Sequence, residues 1–115
     1  MRVSRDFGHT TPEEVRDLGF DYRNDVARGE TLVSAEFEIR LISTDPGKTA
    51  DPAPNARKLD DADIEDAEDG MANIVAVQRV HGMMDGNLYN IVCRATTTNG
   101  QVLELNGHLR CQSAP

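Results

Sequence analysis

Carboxylates are the residues with the clearest chemical potential in this sequence, and they crowd into residues 60–69. The acidic members of this run are Asp60, Asp61, Asp63, Glu65, Asp66, Glu68 and Asp69. Alternating carboxylates supply the ligands of calcium loops, but such loops also need a glycine and a final glutamate at fixed positions. A loop that starts at Asp61 has Asp66 at the glycine position and Ala72 at the final ligand position. We therefore predict a solvated acidic turn that ends at Gly70, with an irregular cation site as the alternative.

Histidine and cysteine are the other residue types that could hold a metal or act as a nucleophile. The candidates are His9, His81, His108, Cys93 and Cys111. No histidine lies at a metal-ligand spacing from a cysteine, so a zinc site would require convergence of distant segments. A nucleophilic cysteine would need a neighbouring base. We predict no catalytic, cofactor-binding or metal-ligating residue, and convergence of these side chains stays an alternative.

The net charge of the chain narrows the classes of partner. The 115 residues include 20 Asp and Glu against 12 Lys and Arg, a formal net charge of -8. An excess of negative charge repels nucleic acid phosphates and anionic membranes. It is compatible with a basic protein partner, although acidity also serves solubility alone. We expect neither nucleic acid nor membrane among the partners.

The first residues of the chain indicate where it is made. Residues 1–8 contain no apolar run of the kind found in a secretory signal. No apolar segment approaches the roughly 20 residues that a bilayer-spanning helix needs. We therefore expect synthesis in the cytosol, where both cysteines are reduced.

Residues 31–42 have the alternation of a half-buried strand. The apolar residues of this stretch occupy every second position, at Val33, Ala35, Phe37, Ile39 and Leu41. This period of two is typical of a strand with one apolar face. The chain has the usual length of one domain. It contains no Trp, two Tyr and three Phe, so its core must depend on aliphatic side chains, which suit strands at least as well as helices.

Turn signals divide the rest of the chain. We predict a polar N-terminal arm over residues 1–16, in which Thr11 begins a helix of one or two turns. A β-sandwich domain is predicted over residues 17–112. Residues 43–56 contain three prolines and are predicted to be a long loop, either functional or disordered.

The C-terminal half is predicted to consist mainly of strands. A strand fragment from residue 57 leads into the acidic turn, and a meander of three strands follows over residues 73–80, 87–97 and 101–111. The chain then has roughly six or seven strands and few helices, a pattern typical of an all-β sandwich.

The dipeptide Asn99-Gly100 is the strongest hairpin signal in the chain. A two-residue loop at this point would place Ala95 opposite Glu104, apolar against polar. A register moved by one residue, with a longer turn and Gly100 in the left-handed conformation, places Ala95 opposite Leu103. Because a slip of one residue turns every side chain to the other face, we predict the second register.

The predicted register bears on the cysteines. It pairs Cys93 with Leu105 and Tyr89 with Leu109, so Cys111 lies about six residues further along the hairpin, roughly 20 Å by strand rise. A disulfide between the two cysteines is excluded at that distance. We interpret Cys93 as a small core residue and Tyr89 as a core tyrosine.

Several segments follow one another in a recognisable order. The early ones are a proline-containing stretch, a tyrosine flanked by aspartates, and a Gly-Glu-Thr step into the first long strand, at residues 11–15, 19–26 and 29–35. The later ones are a Val/Ile strand, a Gly-x-x-Tyr strand and a Thr-Thr-x-x-Gly hairpin, at residues 74–80, 86–91 and 96–101. In this order they resemble small bacteriophage virion proteins of the fibre-tail adaptor family. The sequence departs from many members at Val26, where a tryptophan follows the aspartate in the family.

The resemblance implies an immunoglobulin-like antiparallel β-sandwich, a structural role in a tail or neck, and assembly in several copies. It implies no catalytic residue and no cofactor. The expected function is that of a non-enzymatic virion adaptor that links the tail to fibres by protein–protein contacts. The expected partners are other virion proteins of the tail, the neck or connector ring, and the fibre. The expected contact surfaces are the N-terminal arm, the strand edges and the loop 43–56.

Two alternative functions stay open. One is a capsid decoration or cement protein on the phage head. The other is a carbohydrate-binding module or small hydrolase. Sugar binding usually needs exposed aromatic rings, and Tyr22 is the candidate among the five aromatic residues. A glycoside hydrolase needs paired carboxylates at a cleft, and the acidic run 60–69 is the candidate for these.

Overall fold

The chain forms seven strands arranged in two sheets, and the computed structural model describes residues 5–113. The strands are β1 (Arg5–Thr10), β2 (Arg16–Asp21), β3 (Leu32–Thr44), β4 (Lys58–Glu65), β5 (Val75–Val80), β6 (Asn87–Thr97) and β7 (Val102–Cys111). One 3-10 helix, η1 (Pro54–Arg57), precedes β4. The four-stranded sheet has the order β1-β7-β6-β3 and the three-stranded sheet the order β2-β5-β4. The predictions of an all-β fold and of a sandwich are confirmed.

The hairpin between β6 and β7 has the predicted register. Ala95 pairs with Leu103, and Cys93 pairs with Leu105. The turn comprises residues 98–100, and Gly100 adopts the left-handed conformation with φ of +81°. A glycine accepts this conformation without the steric cost of a side chain. The match of apolar residues across the two strands therefore decided the register, as expected.

The long strand β3 follows the predicted alternation except at its start. Phe37 and Ile39 are buried between the sheets, as predicted. The register against β6 shifts between Leu32 and Ser34, so Leu32 is buried and Val33 is 58% exposed. A bulge inserts one extra residue and reverses the phase of the alternation. The prediction that Val33 faces the core was wrong for this reason.

The described part of the predicted N-terminal arm is a strand instead. β1 pairs in parallel with β7, with a register shift between Asp6 and His9. The remaining strand pairs are antiparallel, so the described sandwich is not purely antiparallel. The predicted helix start at Thr11 is a single turn, in which the Glu14 carboxylate accepts the Thr11 N–H at 2.9 Å. Residues 1–4 of the predicted arm lie outside the described residues.

The predicted C-terminal meander and acidic turn are also corrected. β5 pairs with β2 and β4, not with β6, because residues 81–86 carry the chain across to the other sheet. Met83 in this connection is buried and adds to the core. Residues 60–65 of the acidic run belong to β4, and only residues 66–70 form the turn region before β5.

Aliphatic and aromatic side chains from both sheets fill the core. Its largest fully buried members are Tyr22, Tyr89, Phe20, Phe37, Leu18, Ile39, Ile74, Ile91 and Leu109. The Tyr22 hydroxyl donates to the carbonyl oxygen of Cys93 at 2.9 Å, which ties the segment after β2 to the opposite sheet. A buried hydroxyl with a partner avoids the cost of an unsatisfied polar group.

The two sheets meet along two seams. In the first seam, β1 lies beside β2, and the Phe7 and Phe20 rings pack edge to face with centroids 5.2 Å apart. Arg5 donates to the carbonyl oxygen of Gly19 at 2.6 Å, and Arg16 donates to that of His9 at 2.7 Å. Each edge strand therefore supplies a guanidinium to the backbone of the other.

In the second seam, β3 lies beside β4, and η1 and the loop before it cover part of the β3 edge. Lys58 Nζ donates to the carbonyl oxygen of Phe37 at 2.9 Å. The N–H of Ile39 donates to the side-chain oxygen of Asn55 at 3.0 Å. These contacts occupy backbone groups that an edge strand would otherwise leave open to another chain.

Candidate interaction surfaces

The outer face of the three-stranded sheet has a short apolar stripe between two rows of carboxylates. The central strand β5 turns Val75, Val77 and Arg79 outward. The registers place Asp21, Gly19 and Asp17 of β2 on one side of these residues and Glu65, Asp63 and Leu59 of β4 on the other. We call this surface the acidic face. Its pattern follows from the period of two in three separate strands.

The carboxylates on the β2 side of the acidic face have cationic partners, and Asp21 Oδ2 lies 2.8 Å from Arg23 Nε. Arg79 Nε lies 2.9 Å from Asp17 Oδ1, and its guanidinium holds the pKa of Asp17 below the usual value. Asp61, Asp63 and Glu65 have no ion pair within residues 5–113. The β4 side of the face therefore carries negative charge that the described part of the chain does not neutralise.

The apolar stripe lies open between the carboxylates because Gly19 has no side chain. A Cβ at Gly19 would lie 3.4 Å from a methyl group of Val75 and 3.6 Å from one of Val77. Next to Val77, a shallow depression of about 230 Å³ has Asp17, Asp63 and Glu65 in its lining. The acidic face thus combines an apolar floor with an acidic rim.

Ion pairs neutralise a cluster of charges at the centre of the outer face of the four-stranded sheet. Glu38 lies 2.6 Å from Arg40 and 3.2 Å from Arg94, and Arg94 lies 3.0 Å from Glu104. The guanidinium groups of Arg40 and Arg94 lower the pKa of Glu38 to about 2. Val92 is completely buried on this face. The two faces of the sandwich therefore differ in how much charge they leave for a partner.

A buried carboxylate anchors the long loop between β3 and β4. Asp51 accepts two hydrogen bonds from Arg57, at 2.9 and 2.8 Å, and one from the Tyr89 hydroxyl at 2.7 Å. The Tyr89 hydroxyl in turn accepts the Met84 N–H at 2.9 Å. Burial alone would raise the pKa of Asp51, but Arg57 and Tyr89 outweigh it and hold that pKa below the usual value. Asp51 is therefore a charged group that joins the loop to β6.

Asn87 completes the attachment of this loop. Its side-chain nitrogen donates to the carbonyl oxygens of Thr49 and Met84, at 3.0 and 3.1 Å. Its side-chain oxygen accepts the Thr44 hydroxyl at 2.7 Å and the Asp51 N–H at 3.3 Å. Of the two alternatives for residues 43–56, the disordered loop is wrong, because buried polar groups hold it at both ends.

The histidine and cysteine candidates are not brought into one cluster. His9 and His108 share the outer face of the four-stranded sheet, whereas His81 is exposed beyond the end of β5. Both cysteines are free and buried, and burial raises the pKa of Cys93 and of Cys111 to about 11. Within residues 5–113, no group of three or more ligating side chains is placed to hold a metal ion.

Tyr22, the candidate for stacking against a sugar, is not available for that role. Tyr22 has no exposed surface, and Phe20, Phe37 and Tyr89 are also buried. Phe7 is half-buried and packs against Phe20. All five aromatic residues lie within the described chain, so no aromatic ring offers an open face to a sugar.

Among residues 5–113, no helix has the length and apolar character that a membrane-spanning helix requires. Comparison with known proteins gives no relative: the chain matches no family model, no curated protein and no solved structure.

Proposed function

We propose that this chain is a structural protein of a bacteriophage virion, an adaptor that links the tail to fibres by protein–protein contacts without catalysing a reaction. The acidic face is the observation that carries the protein-binding part of this proposal. A stripe of valines between carboxylates fits a partner that presents an apolar residue between lysines or arginines, because interfaces combine apolar contact with complementary charge. The resemblance to the fibre-tail adaptor family supplies the virion setting.

We further propose that the sandwich is immunoglobulin-like. In that fold the strands B, E and D share one sheet, and C, F and G share the other. The sheet orders β2-β5-β4 and β3-β6-β7 support this assignment, with β1 added beside β7. Tyr89 near the start of β6 accepts the Met84 N–H from the preceding corner, an arrangement similar to the tyrosine corner of immunoglobulin-like domains.

The strand edges are a weaker basis for binding than the sequence predicted. Side chains of Arg5, Arg16, Lys58 and Asn55 occupy backbone groups along both seams, and such coverage opposes strand addition. The proposal therefore assigns the main contact to the acidic face. The elongated body, 49 Å long and 25 Å by 21 Å across, suits a protein that bridges two neighbours.

The virion role is tested on purified particles. Quantitative mass spectrometry is expected to find the protein in several copies per particle, and antibody labelling in electron micrographs is expected to mark the tail or neck. Labelling of the head would instead support the decoration protein. Absence from particles that infect normally would overturn the virion role.

The role of the acidic face is tested by reversing one charge. Glu65→Lys on this face is compared with Glu36→Lys, which makes the same charge change at an exposed β3 position on the opposite sheet. Particles that lack the protein are supplied with each variant. We expect incorporation of the Glu65 variant to fall at least about tenfold, since a like charge at a contact repels the partner, and the Glu36 variant to be incorporated normally. Equal incorporation of both variants would exclude this face as the contact.

A further inference from the structure

A basin of about 340 Å³ lies on the outer face of the four-stranded sheet, away from the acidic face. Its lining consists of Asp6, Gly8, His9, Leu88, His108 and Arg110. Two of the three histidines of the chain, His9 and His108, therefore line the same basin as Arg110. The net charge of the whole chain is -8, whereas the basin combines two imidazoles with one guanidinium.

Strand registers place the basic groups side by side. His9 of β1 pairs with Arg110 of β7, and Arg110 pairs with Leu88 of β6. In the neighbouring row, Asp6 pairs with His108. Residues two apart on one strand face the same side, so His108 and Arg110 stand next to each other. The two imidazoles thus flank one guanidinium.

The shift in the β1–β7 register leaves space in the basin. The shift falls between Asp6 and His9, and Gly8 within it has φ of +76°. A Cβ at Gly8 would meet no atom within 4 Å, so this position is open. The basin is therefore wide enough for a small group to lie between the two rows of side chains.

Each acidic group near the basin has a hydrogen-bond partner within the described chain. Asp6 accepts the Gly8 N–H at 2.8 Å. Asp45, from the loop after β3, lies 3.1 Å from one terminal nitrogen of Arg110. A guanidinium has five N–H donors, so Arg110 keeps donors for a second acceptor. Asp6, His9, His108 and Arg110 are the titratable groups that line the basin, and Asp45 pairs with Arg110. The guanidinium of Arg16 also lies close by, since it donates to the carbonyl oxygen of His9. The β6 residues beside the basin are uncharged.

We propose that this basin binds a carboxylate presented by a partner protein, held by Arg110 and by N–H groups of the imidazoles of His9 and His108. Arginine offers paired donors that match the two oxygens of a carboxylate. An imidazole has at least one N–H donor in either protonation state. The side chain of Leu88 supplies an apolar wall for the carbon atoms that carry the carboxylate.

The probe for this site is a glutamate flanked by acetyl and methylamide groups, with the matching glutamine compound as the neutral control. Chemical shifts of the imidazoles and backbone amides are followed by NMR in a chloride-based buffer. We expect the glutamate compound to shift the resonances of His9 and His108 and to bind at least about tenfold more tightly than the glutamine compound. Binding of the glutamine compound with equal affinity, or binding of the glutamate compound that leaves both imidazoles unshifted, would overturn the proposal.

Three variants make the assignment specific. Arg110→Gln and His108→Gln are each expected to weaken binding about fivefold or more, and His81→Gln, at the histidine outside the basin, is expected to leave it unchanged. Unfolding midpoints show whether each variant is folded. Inorganic phosphate is titrated separately, and tighter binding of phosphate than of the glutamate compound would overturn the carboxylate assignment. If the folded His108 variant binds the glutamate compound as tightly as the unchanged protein, the proposed role of the His108 imidazole is overturned.

Discussion

Along the first seam, partly or fully solvated arginine side chains join the sheets, whereas along the second seam an anchored loop joins them. Arg5 and Arg16 each reach the backbone of the other edge strand in the first seam. In the second seam, Lys58 and Asn55 contact β3 from a segment that depends on the buried carboxylate of Asp51. Both arrangements cover backbone groups at the sheet edges. They differ in the charged group on which each depends, since the arginines of the first seam are solvated and the Asp51 carboxylate of the second seam is buried.

This difference decides which seam responds to substitution and to pH. A guanidinium on a backbone carbonyl keeps its charge at any ordinary pH, and a partly solvated hydrogen bond contributes little net free energy. Removal of one partner from a buried ion pair is strongly destabilising, because it leaves the other charge without compensation. Substitutions of the arginines in the first seam are therefore expected to cost little stability. The stability of the second seam is expected to depend strongly on the charge of Asp51.

Removal of the buried charge is expected to have the largest effect. Asp51→Asn leaves Arg57 without its counter-ion and places a neutral amide among four N–H and O–H donors, so we expect a loss of about 3 kcal/mol in the free energy of unfolding. Urea denaturation followed by circular dichroism measures it. The control is Asp69→Asn in the exposed pair with Arg23, which is expected to cost much less, because solvent screens an exposed ion pair. Equal losses in the two variants would show that the second seam does not depend on Asp51.

Addition of one methyl group at Gly107 of β7, beneath the β1 strand of the first seam, is expected to have the next largest effect. A Cβ at Gly107 would lie 2.7 Å from the carbonyl oxygen of Arg5 and 2.7 Å from the ring of Phe7. Gly107→Ala therefore forces β1 away from β7, at a cost of about 1–3 kcal/mol. Hydrogen exchange is expected to show lost protection in β1 and retained protection in β4.

The control for this substitution is Gly19→Ala, whose added Cβ meets its nearest neighbour at 3.4 Å on the open outer face. We expect it to leave the exchange of β1 unchanged. If the two variants lose the same protection in β1, the position of this strand does not depend on the close approach of Arg5 and Phe7 to Gly107.

Acidification is expected to destabilise the second seam before the first, with a smaller effect than the two substitutions above. The pKa of Asp51 is lower in the folded chain than its usual value. A lowered folded-state pKa stabilises the fold above the unfolded-state pKa of about 3.9, and this contribution disappears as the pH falls through the folded-state pKa. We therefore expect amide resonances of residues 45–57 to change on acidification below about pH 4, before those of residues 5–10. In Asp51→Asn the two segments are expected to respond together, and an unchanged order in that variant would contradict the assignment.

The sequence predicted the elements that local patterns specify. Asn99-Gly100 and the apolar partners of Cys93 and Ala95 were sufficient for the β6–β7 register, because turn type and side-chain alternation act over a few residues. The phase of β3 was correct beyond Ser34, and a bulge reversed it before that point. These features need no knowledge of the opposite sheet.

The features that the sequence did not reveal depend on distant residues. β1 contains charged and polar residues, and its place in the sheet depends on the absence of a side chain at Gly107. Asp51 lies in a proline-rich segment that resembles a solvated loop, and its burial requires Tyr89, 38 residues away. The alternation of Asp63 and Glu65 was visible in the sequence, but only the pairing of β4 and β2 with β5 places Asp17 and Asp21 on the same face.

The smallest expected effect is that of a single arginine of the first seam. Arg16→Gln removes the charged donor to the carbonyl oxygen of His9, and we expect a loss of about 0.5–1 kcal/mol, because solvent can replace the donor. Arg28→Gln, at an exposed arginine in the segment between β2 and β3, is the control in the same urea titration. If the two variants are equally stable, the hydrogen bond of Arg16 contributes no net stability. The first seam would then depend on the packing of Phe7 against Phe20, and its arginines would serve only to cover the edge carbonyls.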